Sequence, residues 1–220
     1  MNKATLGLLL AGLISLPLPV FADDLFVFPS GNCAWTVKMG VYKAADDGSA
    51  PSEMPPAPTG ANNLAPVQVD VTQVDNYKRI RITTASGKTT EEWTLPNMPV
   101  VFKEDPRNGA VFPSRLTSME MQDERASMFI DATSFSWLNP TYLKEKTAVQ
   151  CLGKSCFHYV NPATQAEAWI EAKTLLPVAL HQDFRFFAFS FPADPPTGPL
   201  VPPEKIQKEI NYYKLVMGYH

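Results

Sequence analysis

Apolar and polar residues alternate along much of this chain, and this period of two predicts β-strands. In the clearest case, Val67, Val69 and Val71 face one way and the polar residues between them face the other. The same alternation predicts strands over residues 33–43, 77–82, 89–95 and 100–103. Short turn signals such as Asp75-Asn76 join these strands, which indicates an antiparallel meander rather than βαβ units.

The pattern changes to helical spacing in the middle of the chain, between Ser114 and Trp137. Residues three or four positions apart form one face there, namely Ala126, Phe129, Ile130, Thr133 and Trp137. This spacing predicts one or two short helices. Strands are then predicted again over residues 147–161, 166–171, 175–181 and 184–191.

The last segment of the chain fits either a helix or a strand. After the proline-rich residues 192–203, Ile206, Ile210 and Tyr213 would lie on one side of a short helix. Residues 212–217 fit a final strand equally well.

The order of elements is meander, helical interruption and second meander, which predicts a mainly β fold of the α+β class. A helix that interrupts a single antiparallel sheet packs on the apolar face of that sheet. Such a sheet encloses either a ligand cavity or a filled core, and the pattern is compatible with both.

The first 22 residues have the layout of a secretory signal peptide. Lys3 supplies a positive start, residues 4–21 are apolar, and the small residue Ala22 precedes two aspartates. We therefore predict cleavage after Ala22 and a single exported domain over residues 23–220, periplasmic or secreted. No second apolar run is long enough to span a membrane, so none is expected in the mature chain.

Composition narrows the range of partners. The formal net charge is −3 and the basic residues are not clustered, so nucleic acid is not expected as a partner. The 21 prolines gather in bunches. Residues 44–64 carry few bulky apolar side chains and are predicted to form a flexible proline-rich loop, and residues 192–203 form a second proline-rich segment.

Three cysteines remain in the predicted mature chain, which predicts one disulfide and one leftover thiol in an oxidising compartment. Cys151 and Cys156 bracket four residues, and a hairpin there would favour a bridge between them. If Gly153 is instead a bulge within one long strand, Cys33 must pair with one of the two.

Residues that would support catalysis or metal binding are sparse. Cys151, Cys156 and His158 are suitable metal ligands, but a fourth is missing nearby, so no metal site is predicted. The chain has no Gly-x-Ser-x-Gly motif and no glycine-rich phosphate loop, and His158 and His181 are expected on strand faces. We therefore expect no catalytic residues, no cofactor and no enzymatic activity; a hydrolase or metalloenzyme is the minor alternative.

Aromatic residues are the one positive signal. Five phenylalanines crowd residues 184–191 and occupy both faces of the predicted strand, while Trp93, Trp137 and Trp169 lie in or beside other elements. Two interpretations follow, a plain aromatic core or a hydrophobic cavity for an acyl chain or a similar apolar ligand.

Two stretches also carry a family resemblance. They are Asp131-Ala-Thr-Ser-Phe-Ser-Trp-Leu-Asn-Pro140 and Leu152-Gly-Lys-Ser-Cys-Phe157, the second followed by Ala168-Trp-Ile-Glu171 and Leu176-Pro-Val-Ala179. Their order and spacing resemble bacterial outer-membrane lipoprotein-sorting proteins, distant relatives of the LolA/LolB-like periplasmic lipoprotein carriers. Ala132, Lys154 and Glu171 stand where that family tends to have Leu, Arg and Asp, and the resemblance covers about residues 131–191.

The resemblance implies a strongly curved antiparallel sheet that forms a half-barrel, closed by one or more short helices. Relatives of this shape shelter acyl chains on the concave face. We expect an exported, non-enzymatic carrier or binding protein for an apolar ligand, a lipid or a lipidated protein. The predicted cavity lining is Trp93, Phe129, Trp137, Trp169 and Phe187. The alternative is a structural or protein-interaction module of the envelope with a filled core and an envelope protein as partner.

Overall fold

The computed structural model describes residues 25–42, 49–58, 65–115, 132–138 and 147–219. Within these ranges the chain forms one open, curved antiparallel sheet of eleven strands, a 3₁₀ turn and one α-helix. The predicted mainly β class and half-barrel architecture are therefore confirmed. The predicted signal peptide lies outside the described residues.

The strands of the sheet are β1 (Cys33–Val41), β2 (Pro66–Val74), β3 (Tyr77–Thr84), β4 (Thr89–Thr94), β5 (Val100–Glu104), β6 (Val111–Arg115), β7 (Thr147–Cys151), β8 (Lys154–Val160), β9 (Glu167–Glu171), β10 (Pro177–Gln182) and β11 (Arg185–Ser190). The 3₁₀ turn covers Ala132–Phe135, and helix α1 covers Glu204–Met217.

Two meanders, β1 to β6 and β7 to β11, form the sheet and meet at its centre. The strand order is β6-β5-β4-β3-β2-β1-β11-β10-β9-β8-β7, so the first strand pairs with the last and β6 and β7 are the edges. Val37 lies opposite Phe189 in the central pair. None of the described helices is long and apolar enough to cross a membrane.

Strand β6 is the element that the alternation does not predict. It pairs with β5, with Pro113 opposite Phe102. Proline cannot donate a backbone hydrogen bond and is tolerated in a sheet mainly on an edge strand, which is where β6 lies. Pro113 weakens the sequence signal for a strand, but it is compatible with the edge position of β6 in the sheet.

The inner face of the sheet, as we call the face that carries Val37, Val69, Ile82, Leu180 and Phe187, holds the largest cluster of buried side chains. Side chains from β1, β2, β3, β8, β9, β10 and β11 join in it. The 3₁₀ turn packs on this cluster through Phe135, whose ring lies 5.4 Å from that of Phe189. In the predicted helical region, Ser114 and Arg115 belong to β6, and residues 116–131, with Ala126, Phe129 and Ile130, lie outside the described residues.

Helix α1 packs on the opposite, outer face, against strands β4 to β6. Ile80 of the inner cluster pairs with Glu92, so Trp93, next in β4, points to the outer face. There it packs with Phe102, Ile206 and Ile210. The C-terminal segment is thus a helix with the buried side that the sequence predicts.

Residues 49–58, which we call the strap, also lie on the outer face, over strands β7 to β11. The backbone N–H of Leu152 donates to Pro51 O at 2.9 Å, and that of Val41 donates to Pro56 O at 2.8 Å. Ala50 and Met54 pack there against a third cluster that contains Trp169 and Phe186. Residues 43–48 and 59–64 of the loop predicted over 44–64 lie outside the described part of the chain.

Candidate functional site

A cavity of about 410 Å³ opens at the end of β1, where the strap approaches the sheet. Its walls are Met39, Gly40, Val41, Pro58, Ala65, Pro66, Phe184 and Arg185. Met39 also packs against the inner cluster, so the cavity continues the apolar inner face to the rim of the sheet. We call it the rim cavity.

Strand pairing at the centre of the sheet builds one wall of the rim cavity. Met39 lies opposite Phe187, and Val41 lies opposite Arg185, so these four side chains share the inner face. Phe184 sits in the turn before β11, where Asp183 adopts a positive φ of 58°. The backbone N–H of Tyr42 donates to Phe184 O at 3.1 Å, which holds this turn against the end of β1.

The other wall comes from the strap and the start of β2. Gly40 allows the strap to approach, because a Cβ atom on Gly40 would lie 2.7 Å from Pro55 O. This close contact and the hydrogen bond from Val41 fix the path that leads to Pro58. The wall is therefore made of proline, alanine and glycine, which leaves the space apolar.

Exposed apolar side chains stand at the mouth of the rim cavity. Phe184 is 60% exposed and Val41 is 43% exposed. Among the lining residues that the structure describes, only Arg185 is ionisable, and its guanidinium carbon lies 5.5 Å from the centre of the Phe184 ring. The described residues place no carboxylate within ion-pair distance of Arg185.

The residues predicted to line a ligand cavity lie in different places. Trp137 and Phe187 both belong to the inner face, where Trp137 is half-buried against the inner cluster. Trp93 lies beneath α1 and Trp169 beneath the strap, each 1% exposed on the outer face. Phe129 lies outside the described residues. Trp93, Trp169 and Phe187 therefore do not border one common space.

Sequence reasoning misses Met39, Val41 and Phe184 as cavity residues. Met39 and Val41 do alternate within the predicted strand over 33–43, but alternation alone does not show which strand end remains uncovered. Phe184 belongs to the phenylalanine run, and its exposure depends on the turn in which it sits.

A carboxylate flanked by two histidines lies elsewhere on the outer face, on β8, β9 and β10. His158 Nε2 lies 2.8 Å from Glu167 Oε2, and His181 Nδ1 lies 3.1 Å from Glu167 Oε1. Hydrogen bonds from both rings, the one from His158 first, lower the pKa of Glu167 against the opposing effect of burial. The expectation that both histidines lie on strand faces is confirmed, but the sequence does not predict that they share Glu167.

Aromatic rings enclose this histidine and glutamate cluster. The His158 ring stacks on Trp169 at 5.0 Å, and the Tyr42 ring stands edge-on to His181 at the same distance. His181 is buried, and its Nε2 has no hydrogen-bond partner among the described residues. No group of side chains in the described ranges is arranged to hold a metal ion. The cluster cross-links three strands, β8, β9 and β10.

The predicted disulfide is not formed, and all three cysteines are free and buried. The β7–β8 turn consists of Leu152 and Gly153, both with positive φ, which places Cys151 opposite Lys154. Cys156 is therefore a diagonal neighbour of Cys151, about 7–8 Å away between Cα atoms, whereas a disulfide needs about 4.4–6.8 Å. The hairpin does form, but its two-residue turn sets the wrong register for the bridge.

Burial makes these thiols poor nucleophiles. It is the main cause that raises the pKa of Cys151 to about 12 and that of Cys156 to about 11. Burial also raises the pKa of Cys33. Since the thiolate is the reactive form, the geometry assigns the cysteines to packing rather than to catalysis.

No protein-family model matches this chain, and no curated protein matches it.

Proposed function

We propose that this protein is an exported, non-enzymatic binding protein for an apolar ligand in the bacterial envelope, a lipid or the acyl chain of a lipidated protein. The observation that carries the proposal is the rim cavity, an apolar space of about 410 Å³ that opens beside exposed Phe184 and Val41. Ligand sites in proteins commonly have volumes of about 300–1,000 Å³ and mostly apolar walls. A single acyl chain suits a space at the small end of that range.

The binding free energy would come from removing alkyl surface from water. Each buried methylene group contributes about 0.8 kcal/mol, so a chain that fills the cavity gains useful affinity without a reaction at any bond. The cavity continues into the inner face at Met39, which gives a longer chain an apolar surface to follow. Aliphatic and aromatic side chains pack together on the described part of the inner face, so we take the rim as the point at which a ligand enters.

Native mass spectrometry of protein purified without detergent tests the proposal. We expect a co-purifying adduct of lipid mass that is lost after extraction with organic solvent. Val41→Trp fills the mouth of the cavity and is expected to remove the adduct. Val160→Trp is the matched control, because Val160 is 44% exposed on β8, outside the cavity lining, and that variant should keep the adduct.

The outcome that contradicts the proposal is a wild-type protein that carries no adduct and takes up no added lipid. Retention of the adduct by Val41→Trp would place the ligand elsewhere and would also contradict the assignment of the cavity.

A structural or protein-interaction module is the second candidate, and one observation favours it. The inner cluster is filled with side chains that are almost fully buried, such as Phe135 and Leu180, both 0% exposed. Under that interpretation the envelope partner binds an outer surface, and α1 offers Tyr212, Leu215 and Val216, which are 65%, 81% and 61% exposed. The clean wild-type mass that contradicts lipid binding would favour this candidate.

A further inference from the structure

We propose that the rim cavity selects single-chain amphiphiles with a singly charged anionic head, of which a free fatty acid is the simplest. The inference rests on the proposed binding of an apolar ligand at this site and adds the chemistry of the head group. It is carried by the position of Arg185, which is the only ionisable residue among the described residues of an otherwise apolar lining.

The surroundings of Arg185 leave its charge available. Its guanidinium lies over the Phe184 ring at 5.5 Å, at the mouth of the cavity. No described carboxylate pairs with it, whereas Arg81 and Lys154 have carboxylate partners at 3.1 Å and 3.5 Å. A guanidinium can bind a carboxylate through two parallel hydrogen bonds. A ligand carboxylate at the mouth of the cavity would therefore form an ion pair with Arg185.

Geometry places this head-group site next to the space for the chain. Arg185 lies directly opposite Val41, and Met39, two residues earlier on the same face of β1, leads to the inner cluster. A ligand with its head at Arg185 and its chain along Val41 and Met39 therefore keeps its charge at the exposed rim. Arg185 is the single cation that the described lining offers and balances one negative charge, which favours a carboxylate over a phosphate monoester, whose charge is about −1.5 to −2.

Cavity size limits the number of chains. A space of about 410 Å³ is small among ligand sites and suits one acyl chain better than the two chains of a phospholipid. The prolines at 58 and 66 in the wall restrict its widening because the ring fixes their φ angles. The structure thus favours a single-chain ligand.

Isothermal titration calorimetry with four twelve-carbon probes tests the inference. The probes are dodecanoate, dodecyl phosphate, dodecanol and dodecyltrimethylammonium at neutral pH, the three charged probes below their critical micelle concentrations and dodecanol below its solubility limit. We expect dodecanoate to bind at least about tenfold more tightly than dodecanol, which is the range of a charge-assisted hydrogen bond. Dodecyl phosphate should bind more weakly than dodecanoate, and the cationic probe should bind most weakly.

Three variants assign the preference to Arg185. Arg185→Gln should remove the preference for dodecanoate and leave the affinity for dodecanol unchanged, while Arg185→Lys should keep part of the preference. Arg107→Gln is the charge-matched control, since Arg107 lies in the exposed turn between β5 and β6, outside the cavity lining, and should leave the preference intact. Circular dichroism would confirm that each variant is folded.

The two levels of the proposal fail differently. Equal affinities for dodecanoate and dodecanol, or a preference that survives in Arg185→Gln, would overturn the head-group inference while apolar binding stands. If none of the four probes binds, the proposed function itself is wrong. Tightest binding of dodecyl phosphate would overturn the choice of a singly charged head.

Discussion

Gly40 of β1 and Pro55 of the strap are in such close contact that no side chain fits between them. A methyl group on Gly40 would lie 2.7 Å from the carbonyl oxygen of Pro55, a distance shorter than the contacts that Cβ atoms make in proteins. Because the contact is with backbone rather than with the end of a flexible side chain, the strap or the strand must move if it is filled.

Gly40→Ala is therefore expected to detach the strap locally and to lower the free energy of unfolding by about 1–3 kcal/mol, the usual range for overpacking. Urea unfolding measures the stability. Amide hydrogen exchange at Val41 and Leu152, whose N–H groups donate to the strap, measures the detachment. Lys38→Ala on the same strand is exposed and should change stability by less than about 0.5 kcal/mol. Unchanged exchange in Gly40→Ala would show that the contact is looser than the structure has it.

Ile210 and Leu215 lie on opposite sides of α1, and truncation should destabilise the protein at Ile210 but not at Leu215. Ile210 is 0% exposed against Trp93 and Phe102, so Ile210→Ala is expected to cost about 2–5 kcal/mol of stability. Leu215 is 81% exposed, and Leu215→Ala should change stability by less than about 0.5 kcal/mol. Chemical unfolding of both variants tests this, and comparable losses would mean that the exposed side of α1 is covered in solution.

Glu167 should make stability depend on acid pH. Hydrogen bonds from His158 and His181 hold its pKa below the ordinary value of 4.5. The unfolded carboxylate therefore binds its proton first as the pH falls. The stabilisation is fully present above about pH 4.5 and is lost progressively as the pH falls through the lower folded pKa.

Glu167→Gln removes this contribution, and we expect it to destabilise the protein at neutral pH by about 1–3 kcal/mol, as a buried polar network loses a partner. The difference from wild type should shrink below about pH 4.5, which urea unfolding at several pH values would show. Exposed Glu53→Gln is the control and should produce no such dependence. A constant difference across that pH range would contradict the assigned cause.

The thiols should remain unreactive while the protein is folded. With a pKa of about 12 for Cys151 and about 11 for Cys156, almost no thiolate exists at about pH 8. Iodoacetamide should label none of the three buried cysteines in the native protein and all three after unfolding. An intact mass lower by two hydrogens in the unlabelled protein would instead reveal a disulfide and contradict this prediction.

Local signals in the sequence predict much of the fold. The turn at Asp75 and Asn76 has φ angles of 50° and 68°, the left-handed pair that a tight hairpin needs and that these residue types tolerate. The helical side formed by Ile206, Ile210 and Tyr213 is the side that α1 buries. Both features depend only on residues that are close together in the chain, so turn residues and the spacing of apolar residues are enough to predict them.

Pairings between distant segments are what the pattern does not contain. Strand β10 is buried on both faces, so its alternation disappears and gives no orientation. A bulge between Pro177 and Ala179 then shifts the register with β9 by one residue. Counting from the preceding turn would place Leu180, rather than His181, opposite Glu167, and this is why the histidine and glutamate cluster is not predicted. The rim cavity likewise depends on the strap reaching Gly40, a contact between segments that no local pattern specifies.

The meeting of β1 and β11 at the centre of the sheet has a consequence for how the molecule assembles. Each meander consists of hairpins that close short loops, whereas pairing of Val37 with Phe189 must close a loop that spans most of the chain. Long closures carry the larger entropic penalty and slow folding. The two halves can therefore gain structure early and separately, each with an unpaired edge strand, and the central seam forms last. Until then β1 and β11 are open templates for strands of other molecules, so self-association should compete with folding at high protein concentration.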